Sequence, residues 1–273
     1  MKAFNDKVYL SLSIELQKYQ ISLRYFIDLS YNGRAYHGWQ IQPDVVTVQS
    51  ELNHALSTVL RAPLECMGAG RTDTGVHAKM MIAHFDFNKE INTEDIVYKL
   101  NVYLPKDIHV NIIKQVAVDV HARFDALSRT YIYEISRTKD AFNYQNAHTY
   151  TLPLDVDLMN QAAKILLEYT DFQCFSKVKT DVKTFECHIM KAQWELINNK
   201  LAFKIKADRF LRNMVRAIVG TMIEVGTKKR TLEEFRAIIQ SKNRSNAGTS
   251  APAHGLYLVE IDYPKSIYLN EKL

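Results

Sequence analysis

Three of the chain's nine glycines fall within eight residues, Gly68-Ala69-Gly70-Arg71-Thr72-Asp73-Thr74-Gly75, and this cluster constrains the fold more than any other stretch. Glycine reaches backbone conformations that other residues avoid. Such density therefore marks a tight loop that presents side chains or lets a ligand come close to the backbone. Leu64 to Met67 and Met80 to Phe87 read as strands on either side. The segment is then an inter-strand turn offering one arginine, two hydroxyls and one carboxylate, with His77 just beyond. Plain turn chemistry and a functional loop both fit that content.

Known loop types narrow the choice. A dinucleotide fingerprint needs a glycine where Asp73 stands, and a carboxylate there repels the pyrophosphate. The Gly-Lys-Ser/Thr of a Walker loop is absent. Asp73-Thr74-Gly75 matches half of an aspartic protease pair, whose chemistry needs two carboxylates sharing a proton. The chain has no second Asp-Thr/Ser-Gly.

Around the loop, strand and helix patterns alternate. Leu23, Tyr25, Ile27 and Leu29 share the face of a half-buried strand. Thr47 stands as an N-cap before Val48, Leu52, Leu56 and Val59 at helical spacing, and Pro63 closes that run. Further along, Tyr131, Tyr133 and Ile135 alternate, and Asp157 to Tyr169 has a helical period. Met190 to Ile197 and Leu201 to Ala207 read as a hairpin around Asn198-Asn199. The expectation is an α+β fold of two halves of similar order, dividing within Asp107 to Ala126. Residues 1–20 then form an N-terminal extension, 21–115 the half with the Asp73 loop, and 116–273 the other half.

At 273 residues, 47% hydrophobic and 24% charged, the chain is expected to be a soluble globular protein with a substantial core. Cys66, Cys174 and Cys187 lie outside any zinc-type spacing and read as buried or free thiols of a reducing compartment. No run of eighteen apolar residues exists. Met1 to Gln20 carries Lys2, Asp6, Lys7, Glu15 and Lys18 around a short apolar stretch, unlike a membrane span or a secretion signal. The cytoplasm is the expected compartment, with no membrane partner. A net charge of +5 points mildly to a polyanion.

Two further segments carry arginine. Phe210 to Val225 reads as a helix with Leu211, Met214, Val215, Ile218 and Met222 in an apolar stripe and Arg209, Arg212 and Arg216 on the other side. No acid precedes Glu224, so these cations need carboxylates elsewhere or phosphates, with Asp208 as a local counter-charge. The stretch His121 to Tyr133 interleaves Arg123 and Arg129 with Phe124, Tyr131 and Tyr133. That mixture suits stacked, unpaired RNA bases, and it equally suits an edge strand with core tyrosines.

Together these segments resemble the TruA family of tRNA pseudouridine synthases. The family's signature around its catalytic aspartate, Gly-Arg-Thr-Asp-Ala-Gly-Val-His, is matched by Gly70 to His77, with Thr74 in place of the alanine. Ala122-Arg123-Phe124 leading into Arg129 to Tyr133, Phe210 to Arg216 running on to Gly220, Ala251 to Leu258, and Tyr263-Pro264 follow in the family's order. The resemblance runs from Ile21 to Pro264. The leading residues exceed the usual family start and are assigned no function. Thr74 adds a hydroxyl beside the carboxylate, able to hydrogen-bond it, and its effect in the motif stays open.

The resemblance implies two halves, each an antiparallel sheet flanked by helices, around a central cleft. It implies isomerisation of uridine to pseudouridine at positions 38, 39 and 40 of the tRNA anticodon stem-loop, with no cofactor and no metal, by a homodimer holding one tRNA across both subunits. By the same resemblance Asp73 is the catalytic carboxylate and Arg216 its salt-bridge partner. Tyr131 lies against the flipped uracil as stacking platform and proton acceptor, and Leu258 packs against the base pocket. Arg71 holds the displaced nucleotide, with Arg123 and Arg212 as further RNA contacts. Whether Asp73 attacks uracil C6, attacks ribose C1′ or assists loss of the C2′ proton stays open. A catalytically silent RNA-binding scaffold and a single-chain aspartic hydrolase are the readings of other classes.

Overall fold

The computed structural model describes residues 22–142, 144–178, 182–197 and 200–269. The expected N-terminal extension and the Asn198-Asn199 turn lie outside the described residues. Strand β1 (Leu23–Tyr31) buries Tyr25, Ile27 and Leu29 of the expected face, with Leu23 only partly buried, and it also buries Tyr31 and, from the opposite face, Phe26. Helix α1 (Val48–Leu60) starts where expected: Thr47 and Ser50 satisfy each other's backbone N–H groups in a reciprocal capping box. Val48, Leu52 and Leu56 are fully buried, and burying each such side chain stabilises the fold by about 1.5–3 kcal/mol. Arg61, left-handed at φ 54°, ends the helix just before Pro63.

The chain continues through β2 (Met67–Gly68), β3 (His77–Phe87), α2 (Thr93–Tyr103) and β4 (Ile108–Val116). Next come β5 (Ser128–Ser136), the short β6 (His148–Thr149), α3 (Val156–Leu166), and the hairpin strands β7 (Ile189–Ile197) and β8 (Lys200–Ala207). Helices α4 (Met214–Gly226) and α5 (Leu232–Ser241) precede the last strand, β9 (Leu256–Asp262). The main sheet runs β4-β1-β3-β9-β5-β8-β7, with β2 beside β3 and β6 beside β5.

The two antiparallel groups are thus one continuous sheet. Strand β9, from the far end of the chain, lies between them, antiparallel to β5 and parallel to β3 through His77↔Tyr257 and Ala78↔Leu258. This junction brings the start of β3, and the glycine loop before it, against residues some 180 positions later in the chain.

Two sequence expectations need correction. Of Leu64 to Met67, only Met67 joins the sheet, because α1 side chains take the backbone upstream of it. Ser57 Oγ accepts from Leu64 N at 2.9 Å, and Asn53 Oδ1 accepts from Cys66 N at 2.9 Å. The helix expected from Phe210 begins only at Met214. Asn213 adopts a left-handed conformation (φ 66°, ψ 3°), and Met214 N closes a turn onto Leu211 O instead of extending a helix. Arg209 and Arg212 therefore sit on a loop, and only Arg216 is helical.

All three cysteines are free and buried, and burial pushes each thiol up to about 12. Among the described residues, no helix is long and apolar enough to cross a membrane.

Candidate active site

The glycine loop is held from beneath. Thr72 is buried, its hydroxyl 2.8 Å from the Tyr31 hydroxyl and its carbonyl accepting from Trp39 N at 3.2 Å. Gly38, at φ 92°, lets this backbone come close: a Cβ there would stand 2.4 Å from Thr72 O. On the far side, His77 Nδ1 accepts from Gly33 N at 3.1 Å, which leaves the proton on Nε2 to be donated to His254 O at 3.2 Å. Burial lowers the His77 pKa, in keeping with that neutral tautomer. So fixed, the loop lifts Asp73 into a cleft with its side chain 25% exposed.

Two arginines reach this carboxylate. Arg216, in the first turn of α4, donates from Nη1 to Asp73 Oδ2 at 3.3 Å and from Nε to Ala251 O at 2.8 Å. Arg212 Nε lies 3.9 Å from Asp73 Oδ1 and is much more exposed. A cation in the first turn of a helix is disfavoured by the helix dipole, and the Asp73 carboxylate offsets it. The close approach of α4 to residues 249–251 also orients Arg216: a Cβ on Gly220 would meet Thr249 O at 1.7 Å, so only glycine fits there. The Thr74 hydroxyl makes no hydrogen bond to the Asp73 carboxylate.

Beside the carboxylate lies a cavity of about 40 Å³, lined by Asp73, Tyr131, Phe210, Asn213, Arg216 and Leu256 among others. Tyr131 packs edge-on against Phe210 with ring centres 5.2 Å apart. Burial pushes its hydroxyl up to about 12, with Arg129 opposing and Asp73 adding to the effect. Leu258 is buried directly opposite Tyr131 in the β5–β9 ladder.

Arg71, Arg123 and Arg212 are exposed around the opening. Burial lowers the Arg71 pKa, and the charges of Arg123 and Arg212 lower it further. Arg123 lies over the Phe124 ring at 5.7 Å, and that ring is 75% exposed. Asp208 serves the backbone: its Oδ1 accepts from His188 N and Arg209 N, both at 2.7 Å. Arg129, grouped with Arg123 by sequence, instead turns inward onto protein carbonyls. The sequence carried a signal for this, since Arg129 is in phase with the buried Tyr131 and Tyr133. The Ala251 carbonyl and the His77–His254 link had no such signal.

A polarised carboxylate beside a stacking-competent aromatic ring can attack or stabilise an electron-poor carbon, and the surrounding guanidiniums suit a phosphate chain. The chain matches the tRNA pseudouridine synthase family over residues 29–125 and 162–264. It is 51% identical over 248 residues to tRNA pseudouridine synthase A of Parabacteroides distasonis, covering 90% of this chain and 98% of that protein. The same-named protein of Bacteroides thetaiotaomicron is 52% identical over 251 residues, covering 91% of this chain and 93% of that protein. A more distant relative of the same name, from Aliivibrio salmonicida, is 39% identical, covering 89% of this chain and 94% of that protein.

Proposed function

Because the chain belongs to the tRNA pseudouridine synthase family and isomerises tRNA uridines, we propose that it acts at positions 38, 39 and 40 of the anticodon stem-loop with Asp73 as its essential carboxylate. The observation that carries this reading is the Asp73–Arg216 pair beside the Tyr131 cavity, with three arginines at its opening.

The isomerisation breaks the C1′–N1 bond, turns the uracil and forms C1′–C5; C5 loses a proton and N1 gains one. No electrons are gained or lost overall, so the reaction needs no cofactor. Asp73 supplies the carboxylate that attacks or stabilises the reacting carbon, and Arg216 holds it in line. Tyr131 stacks on the base once it has left its helix and, as the deprotonated phenolate, accepts the C5 proton. Arg71, Arg123 and Arg212 bind the backbone of the displaced strand, and Leu258 supports Tyr131 from the neighbouring strand. Adjacent target positions call for recognition by shape and phosphate, which is what exposed guanidiniums provide.

The two halves, 21–115 and 116–273, each contribute to the site: Asp73 from the first, Tyr131 and Arg216 from the second. The reading includes a homodimer that holds one tRNA across both subunits; apart from the Asp73 cavity, an open groove of about 780 Å³ is lined by Lys79, His109, Glu134, Lys200 and Tyr257 among others. Glu134 alternates with Tyr131 and Tyr133 along β5, so this groove and Asp73 use different faces of the sheet. The substrate and the three free thiols fit the cytoplasm.

The test is to incubate the protein with unmodified tRNA transcripts, in EDTA and without added cofactor, and map pseudouridine by carbodiimide-dependent primer-extension stops. Stops at one or more of the three positions support the reading. Stops elsewhere would relocate the target, and tight binding with no stops would favour a silent RNA-binding scaffold.

A further inference from the structure

Arg129, the second residue of β5, is in phase with Tyr131 and Tyr133, the three pairing on β8 with Ala207, Ile205 and Phe203 in turn. Its Nη1 donates to Ala126 O at 3.0 Å and Asp208 O at 2.8 Å. Its Nη2 donates to Ala69 O at 3.0 Å and Arg123 O at 2.6 Å. Each Nη carries two hydrogens, so all four are taken by backbone carbonyls.

Those carbonyls belong to the three segments that build the rim of the site. Ala69 lies in the glycine loop just ahead of Asp73. Arg123 and Ala126 belong to the turn that carries the Arg123 side chain. Asp208 leads into the loop that carries Arg212. The four bonds tie these segments to one another through a single side chain. Carbonyls suit the task better than a carboxylate would. They satisfy the Arg129 guanidinium without adding negative charge, so the rim keeps the positive field that a phosphate chain needs. No described carboxylate forms an ion pair with Arg129.

We infer that Arg129 is a positioning residue, whose guanidinium fixes the Asp73, Arg123 and Arg212 loops relative to one another and does not itself contact RNA. The inference rests on the reading of Asp73 as the reacting group. A misplacement of about 1 Å in a catalytic geometry costs about 10²-fold in rate, so the clamp is felt in the chemical step more than in binding.

The experiment compares Arg129→Ala and Arg129→Lys with wild type in three measurements: single-turnover pseudouridine formation on a tRNA transcript, tRNA affinity across a salt series, and thermal stability. Arg129→Ala is expected to slow the single turnover by about 10²-fold while tRNA Kd changes by less than about threefold. The slope of log Kd against log salt stays at the wild-type value, because no phosphate contact is lost. Guanidinium ion at millimolar, non-denaturing concentration restores part of the alanine variant's rate and leaves the wild type unchanged, an effect that a general loss of stability does not produce. Arg129→Lys keeps the charge but lacks the fork, so it also slows, by at least about 10-fold. It carries the test if the alanine variant does not fold. A wild-type rate in either variant overturns the inference. So does a salt slope shallower by about one with the rate recovered at saturating tRNA, which would make Arg129 a phosphate contact. Failure of the catalytic reading itself would appear separately, as turnover by Asp73→Asn in the same assay.

Discussion

Arg216 holds Asp73 with one edge of its guanidinium and the Ala251 carbonyl with its Nε, so the carboxylate is tied through a single side chain to the backbone of the segment leading into β9. Arg216→Ala removes both bonds and leaves Arg212, 3.9 Å away and exposed, as the remaining cation beside Asp73. Single-turnover pseudouridine formation is expected to fall by about 10²–10³-fold, with tRNA affinity changed far less. Arg216→Lys should recover only part of the rate, because a point charge does not reproduce the fork. Rates equal to wild type would show that the pair is ornamental to the chemistry.

Tyr131 gives a pH-dependent prediction. Burial pushes its hydroxyl up to about 12, so near neutral pH almost all of it is protonated, and the fraction able to accept a proton grows about tenfold per pH unit. If Tyr131 takes the C5 proton, the single-turnover rate should climb on the alkaline side. Tyr131→Phe should lose that climb and at least about 10² in rate while keeping the stacking surface. An unchanged profile in Tyr131→Phe would reduce the residue to a stacking platform.

His84 links stability to pH. Its Nδ1 accepts from Ala122 N at 3.2 Å and so must be unprotonated, and burial first, then Arg24 and His121, lower its pKa to about 4. The unfolded chain binds this proton near the ordinary 6.5, so His84 contributes fully above that pH. Its contribution declines as pH falls from there toward 4, with a slope approaching about 1.4 kcal/mol per unit. Urea denaturation at pH 7, 6 and 5 should show the decline, and His84→Gln should flatten it. A slope in His84→Gln equal to wild type would assign the acid sensitivity to other groups.

Gly38 tests the support beneath the loop. Its φ of 92° and the 2.4 Å approach of a would-be Cβ to Thr72 O mean that Gly38→Ala must displace the backbone one residue before Asp73. Stability should fall by about 1–3 kcal/mol in denaturant titration, and the single-turnover rate should fall with it at fully folded protein. Loss of stability at an unchanged rate would mean that the loop tolerates the shift.

Local rules were legible in the sequence and long-range ones were not. Thr47 declares α1 because a cap acts within a few residues, and Tyr25, Ile27 and Leu29 declare β1 because pleat and burial share one period. The start of α4 is not legible in the sequence because Leu211 and Met214 continue a helical spacing that the left-handed Asn213 interrupts, and nothing in side-chain periodicity reports a backbone angle. Asp73 stood out by its glycine setting and the Gly70-to-His77 motif. The roles of Arg129 and of the Ala251 carbonyl depend on backbone atoms many residues away, which no local pattern encodes.

The most direct measurement is to follow, in parallel, single-turnover pseudouridine formation in tRNA and equilibrium tRNA binding for wild type and Asp73→Asn, a change that keeps the size of the side chain and removes its charge. The expected result is no detectable pseudouridine with binding close to wild type. Turnover by Asp73→Asn, or loss of binding in step with loss of activity, would contradict the assignment of Asp73 as the reacting carboxylate.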